Sequence, residues 1–224
     1  MPIQKIEKSK RIDEILDLLE MFYDISTLLT LGTPLDQLLR NMFEKVSVKT
    51  KIISVLVWLL DEKKEFFDLA ASHNIPSPLL ATMKISRMRS NEGTAGVVLR
   101  TKKFYLMKDI STDPHAKPEY QKTMKELNIP IKAVASFPMI VEREFIGVFS
   151  FFFSGTKQSI SRTDFIVFSS IANQIASFVQ SSRIFQELQK KVEELERFQK
   201  VTLGRELKMV DLKKEIKKMK EKSE

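Results

Sequence analysis

The chain has 224 residues, with 37 basic and 29 acidic side chains, no cysteine, one tryptophan and two histidines. Its length and its 43% apolar content allow a buried core in one domain with extensions or in two small domains. The lack of cysteine excludes disulfides, zinc ribbons, iron–sulfur clusters, thiol nucleophiles and thioether-anchored chromophores. The net charge of +8 gathers at the ends, with four basic residues against one acidic in 1–11 and eight against five in 205–224. The nearly neutral middle carries no electrostatic footprint for nucleic acid.

Residues 10–31 read as an amphipathic helix, with Ile12, Ile15, Leu16, Leu19, Phe22, Tyr23, Ser26 and Leu29 recurring at spacings of three and four. Gly32 stops it, and Thr33-Pro34 reads as an N-cap followed by proline at the first helical position. A second helix is expected over 34–48, with Leu35, Leu38, Leu39, Met42, Phe43 and Val46 on one side. IISVLVWLL, residues 52–60, is a dense β-branched run and reads as a mostly buried strand. Asp61–Lys64 turns it back into a second strand, Phe66–Ser72, and Met83–Met88 is expected as a third.

Gly93 opens a short helix to about Thr101, and Phe104–Lys108 reads as a short strand. The following loop contains Asp113-Pro114, a turn signature, and a helix spans Pro118–Leu127. Lys132–Val141 and Phe145–Ser154 form an antiparallel hairpin around Glu142-Arg143-Glu144, with Phe145, Phe149, Phe151 and Phe153 on one face and Phe152 on the other. From Ser161, paired with Asp164 in a capping-box-like start, helical signal runs nearly to the end.

Two seams lie along that helix. Phe168, Ile171, Ile175, Phe178, Ser182 and Phe185 alternate by three and four. Leu188, Leu195, Thr202, Met209 and Ile216 then follow out of phase, with Phe198, Leu212 and Met219 at complementary positions. Lys191, Thr202 and Arg205 put polar groups on the second seam. No run of eighteen apolar residues exists, and the N-terminus lacks a signal peptide's apolar core. A cytoplasmic protein without membrane insertion is expected. The element order defines an α+β domain flanked by helices.

Three blocks resemble the GAF domains of signalling proteins. They are Gly93-Thr94-Ala95-Gly96-Val97-Val98 with Lys108–Pro114, Ser136-Phe137-Pro138-Met139 with Phe145-Ile146-Gly147-Val148, and Asp164 through Ala176. The resemblance covers about residues 15–190. It implies a central antiparallel sheet of about six strands with helices on both faces, flanked by N-terminal and long C-terminal helices. It also implies an N-terminal dimerisation helix over 1–31, a GAF core over 32–160 and a closing helix continuing into a coiled-coil linker over 161–224. The segment Phe198–Met209 is similar to linkers that join sensor domains to a downstream module. The chain is then a fragment of a longer sensor, or its output partner is a separate chain.

The resemblance places a small-molecule pocket among residues 52–60, 66–73, 93–120 and 133–153, with Trp58, Thr94, Asp109, Asp113, His115, Tyr120 and Phe137 as candidate ligand-binding residues. It names no cofactor. The family's cyclic-nucleotide signature does not align, because Asp164 is followed by Phe165 rather than an acidic residue. The family's free methionine sulfoxide reductases work through cysteines, which are absent here.

Gly93 and Gly96 lack the lysine of a phosphate-binding loop and read as tight helix entry. Asp109, Asp113, His115 and Glu119 could offer oxygens and an imidazole to a metal, but an Asp-Pro turn accounts for Asp113 without one, and no metal site is assigned. The resulting expectation is a non-catalytic sensory or regulatory module, with a small molecule as candidate ligand. It would form a homodimer through Phe178, Phe185, Leu188, Leu195, Phe198, Met209, Leu212 and Ile216 and signal to an output domain or partner such as a histidine kinase. The alternative is a ligand-free dimerisation or scaffold module of the same fold.

Overall fold

The computed structural model describes residues 34–221; the expected helix over 10–31 and the Thr33 cap lie outside them. Helix α1 spans Leu35–Thr50, and Pro34 occupies the cap position itself rather than the first turn. Its buried residues Leu38, Leu39, Met42 and Val46 recur at the helical period and face the sheet. Lys51 ends the helix in the left-handed conformation and leads into β1, Ile52–Leu60. β1 is followed by β2, Phe66–His73, and helix α2, Ser77–Ile85.

The strand expected over 83–88 is corrected by α2. Pro78 sits in the first helical turn, and Leu79 and Met83, four residues apart, are its buried residues. Only Met88–Arg89 forms a strand, β3. Helix α3 spans Gly93–Thr101, β4 spans Tyr105–Met107 and helix α4 spans Pro118–Glu126. β5, Ala133–Val141, and β6, Glu144–Phe153, are joined through Glu142 and Arg143, whose φ values are both positive, 49° and 75°. Two such residues match the right-handed twist of the flanking strands.

The six strands form one antiparallel sheet in the order β3-β2-β1-β6-β5-β4. Its two faces carry separate cores. Val55 and Val57 of β1 and Phe149, Phe151 and Phe153 of β6 meet α1 and the closing helix α5, Arg162–Glu221. Leu56, Trp58 and Leu60 of β1 and Val148 and Phe152 of β6 meet α2, α3 and α4. β1 is apolar on both sides because both sides are covered. The chain therefore has an α+β fold with helices on both faces of the sheet.

Phe145 does not share a face with Phe149. The β5–β6 register shifts between Met139 and Ile140, which leaves Ile146 as an extra residue on β6. Such a bulge reverses the alternation, so Phe145 packs edge-on against Phe67 of the opposite core.

The chain divides into two compact units, Met1–Gln180 and Ser181–Glu224. In the first, Ser161 Oγ accepts the Asp164 N–H at 3.0 Å, capping α5 as its sequence indicates. Phe168, Ile171, Ile175 and Phe178 are buried in the domain's own core. This corrects the reading of Phe178 as a dimer-seam residue, since a three–four repeat fits any apolar partner surface, the chain's own sheet included. In the second unit, residues 181–221 are helical throughout. Ile184, Phe185, Leu188, Val192, Leu195, Phe198 and Met209 are all exposed there. Among the described residues, no helix is long and apolar enough to cross a membrane.

Candidate functional site

Between the sheet and helices α2–α4 lies a cavity of about 60 Å³. Its sheet wall is made by Trp58, Val134, Ser150 and Phe152, residues brought together because β5, β6 and β1 are neighbours. Gly93 and Thr94 enter from the start of α3, and Met107 and Ile110 from β4 and the loop after it. Leu79 and Met83 of α2, Met88 of β3, and Tyr120 and Met124 of α4 close the opposite side. His115, Ala116 and Lys117 complete it.

Three hydroxyls form a chain at the sheet wall. Ser136 Oγ donates to Thr94 Oγ1 at 2.8 Å and lies 2.9 Å from Ser150 Oγ. With its one proton directed to Thr94, Ser136 must receive the proton of Ser150. The Thr94 proton is then left to be donated elsewhere, and Ser150 keeps lone pairs to accept with. Thr94 and Ser150 both line the cavity, so this wall offers one donor and one acceptor beside the apolar Trp58, Val134 and Phe152.

Lys117 brings a charge. Its Nζ, on a side chain only 11% exposed, donates to Glu92 Oε2 at 2.8 Å and sits 5.6 Å from the centre of the Tyr120 ring. The lysine hydrogen bond holds the Glu92 carboxyl below the usual glutamate range. Burial, reinforced by Glu119 and Glu92, pushes the Tyr120 phenol up; its hydroxyl donates to the Ser86 carbonyl at 3.3 Å. Burial first, then the Asp113 carboxylate, raise the Tyr105 phenol to about 12.

Four expected ligand residues, Trp58, Thr94, His115 and Tyr120, line this cavity. Three do not. Asp113 stands outside the lining, accepting from Tyr105 Oη at 2.9 Å and from the His115 backbone N–H at 2.9 Å, the self-bonded turn its Asp-Pro sequence predicts. Asp109 accepts from the Ser111 N–H at 2.9 Å and hydroxyl at 2.6 Å, which lowers its pKa, and it lines a different, open groove. Phe137 is a correction: it lies on the other face of the sheet, 1% exposed, against Phe104, Phe151, Phe165 and Phe168. In β5, Ser136 faces the cavity side, so its neighbour must face away.

Leu79, Met83, Met88 and Met124 lie outside the segments expected to bound the cavity, and the expected 66–73 strand contributes no lining residue. Ser136 and Ser150 were legible in principle, as single serines inside the apolar runs VASFPM and GVFSFFF. Among the described residues, no cluster of three histidine, aspartate or glutamate side chains could hold a metal ion.

This antiparallel sheet, with one helix layer packed as a core and the other enclosing a small cavity, defines a class. The family described as GAF domain matches residues 32–180, and the chain belongs to that family. Solved GAF structures share the fold. The GAF domain of a phosphoenolpyruvate-protein phosphotransferase from Coxiella burnetii is 15% identical, with a TM-score of 0.63 over 77% of this chain and 98% of that one. The corresponding domain from Acinetobacter is also 15% identical, with a TM-score of 0.59 over 76% of this chain and 97% of that one. The free methionine-R-sulfoxide reductase from Neisseria meningitidis, solved with its substrate, is 15% identical, with a TM-score of 0.57 over 74% of this chain and 90% of that one. The fold thus occurs in proteins of different activities, phosphotransferases and a reductase among them. No curated protein matches the chain.

Proposed function

We propose that the chain is a non-catalytic sensory module. A small molecule is held between Trp58, the Thr94–Ser136–Ser150 hydroxyl chain and Lys117. The helix of the second unit pairs with that of another copy and passes the signal to an output domain or partner such as a histidine kinase. The hydroxyl chain carries this reading, because it presents a donor and an acceptor at a sheet wall whose other residues, Trp58, Val134 and Phe152, are apolar. Exposed Leu188, Leu195 and Phe198 support pairing, since apolar side chains in that number on one helix favour burial. The absence of cysteine removes the thiol chemistry of the family's free methionine sulfoxide reductases.

One observation favours the ligand-free scaffold: the cavity, at about 60 Å³, is far smaller than a typical ligand site. A thermal-shift screen of nucleotides, amino acids and aromatic acids on the full chain, read together with Trp58 emission, separates the two. A compound that raises Tm and changes that emission supports the sensor. Repeated nulls support the scaffold. Sedimentation should show a dimer at micromolar concentration that dissociates in the Leu188→Ser, Leu195→Ser, Phe198→Ser variant; a wild-type monomer would remove the pairing.

A further inference from the structure

The cavity has a larger neighbour. A groove of about 580 Å³ runs between α4 and the segments around Asp109 and Lys132. Ile110 and Met124 line both spaces and so form the partition between them. The two sides differ in chemistry. The inner side holds Trp58, Phe152 and the thioethers of Met83, Met88 and Met107. The outer side holds three lysines, Lys122, Lys125 and Lys132; Lys122 has Glu126 as an exposed ion-pair partner at 3.9 Å, and the carboxylate in the lining, Asp109, already has an oxygen engaged by Ser111.

We infer that the two spaces form a single site for an amphiphilic organic anion. The head sits among Lys122, Lys125 and Lys132, and the apolar tail passes Met124 to lie against Trp58. This rests on the ligand-binding reading above and adds the class of ligand and its route. Met124 is suited to be the movable half of the partition. It is unbranched, with three rotatable side-chain bonds and a polarisable sulfur that keeps favourable contact with aromatic rings in several rotamers. The inner methionines can re-pack in the same way, so a cavity of about 60 Å³ can enlarge without breaking backbone hydrogen bonds.

The rest of α4 is tied in place. Gln121 Nε2 donates to the Ile110 carbonyl at 2.6 Å, and the Thr82 and Thr123 hydroxyls lie 3.0 Å apart. These bonds make a side-chain gate the easier opening, compared with displacement of the helix. Charge sets the polarity of entry: a carboxylate gains the lysine field in the groove and would lose its hydration inside.

Trp58 is the chain's single tryptophan and lines the inner cavity, so its emission reports arrival of the tail. The test titrates the full chain with octanoate and with 1-octanol, in wild type, in Met124→Phe, in Met124→Ala and in Lys122→Gln/Lys125→Gln/Lys132→Gln. Octanoate is expected to change Trp58 emission saturably and to bind about tenfold more tightly than octanol. The lysine variant, altered only at exposed positions, should bring octanoate to the level of octanol. Met124→Ala should speed the change several-fold in stopped flow, and Met124→Phe should slow or abolish it.

Equal binding of octanoate and octanol by wild type overturns the anionic head. Unchanged kinetics in both Met124 variants overturns the gate. If octanoate is silent while another compound of the screen reaches Trp58, this inference falls and the sensor reading stands. If no compound reaches Trp58, both fall.

Discussion

Gly147 of β6 abuts the main chain of Trp58 of β1 so closely that a Cβ on Gly147 would overlap the Trp58 carbonyl oxygen, with Leu59 Cα only 3.1 Å away. The obstacle is backbone in the interior of the sheet, so no side chain can swing aside. The contact lies next to the bulge at Ile146, which sets the face presented by Phe145. Gly147→Ala is therefore expected to lower stability by about 3 kcal/mol. Urea unfolding followed by Trp58 emission measures it; a loss below about 1 kcal/mol would show that the two strands can part without penalty.

The hydroxyl chain makes a different kind of prediction. Ser136 is fully buried and serves two partners at once, Thr94 and Ser150. Ser136→Ala strands both, and is expected to cost about 2 kcal/mol. In the Thr94→Val/Ser136→Ala/Ser150→Ala variant no orphaned hydroxyl of the chain remains. Its cost should fall short of the sum of the three single changes by about 1 kcal/mol or more. Strict additivity in denaturant unfolding would mean that the three groups act independently.

Glu92 links the cavity to acid stability. Its folded-state pKa is lowered from 4.5, first by the hydrogen bond from Lys117. A carboxyl depressed by folding contributes stability above its unfolded value and loses that contribution as the pH falls through its folded value. The Glu92 side chain is 38% exposed, so solvent screening keeps the effect below about 1 kcal/mol. Glu92→Gln should be slightly less stable than wild type at neutral pH, with the gap closing as the pH is taken well below 4.5. Unfolding midpoints across that range test the sign; a constant gap would assign the loss to packing instead of charge.

The elements were legible wherever one local period dominated. Leu38, Leu39, Met42 and Val46 declared α1, and the run from Ile52 declared β1. Residues 77–85 misled because Met83 and Met88 stand among β-compatible neighbours, while the decisive pair was Leu79 and Met83 on one helical face. Of the candidate site, Trp58, Thr94, His115 and Tyr120 were within reach through the family resemblance. Met124 was not, because it meets the cavity only after α4 folds over the sheet, and neither was the pairing of Lys117 with Glu92, which are 25 residues apart in sequence.

Hydrophobic periodicity, turn residues and the missing cysteines act locally or by composition, so they established the helices and strands outside residues 77–88 and the removal of thiol chemistry without any fold. Assigning faces needed long-range pairing. One extra residue at Ile146 turned Phe145 away from Phe149, and strand phase put Phe137 into the packed core while its neighbour Ser136 turned toward the cavity. The closing helix shows the same division. Its three–four seam marked an apolar stripe, but burial against the chain's own sheet claimed Phe168 through Phe178 and left Leu188 through Phe198 exposed. A repeat encodes that a face must be covered; which surface covers it depends on where the rest of the chain lies.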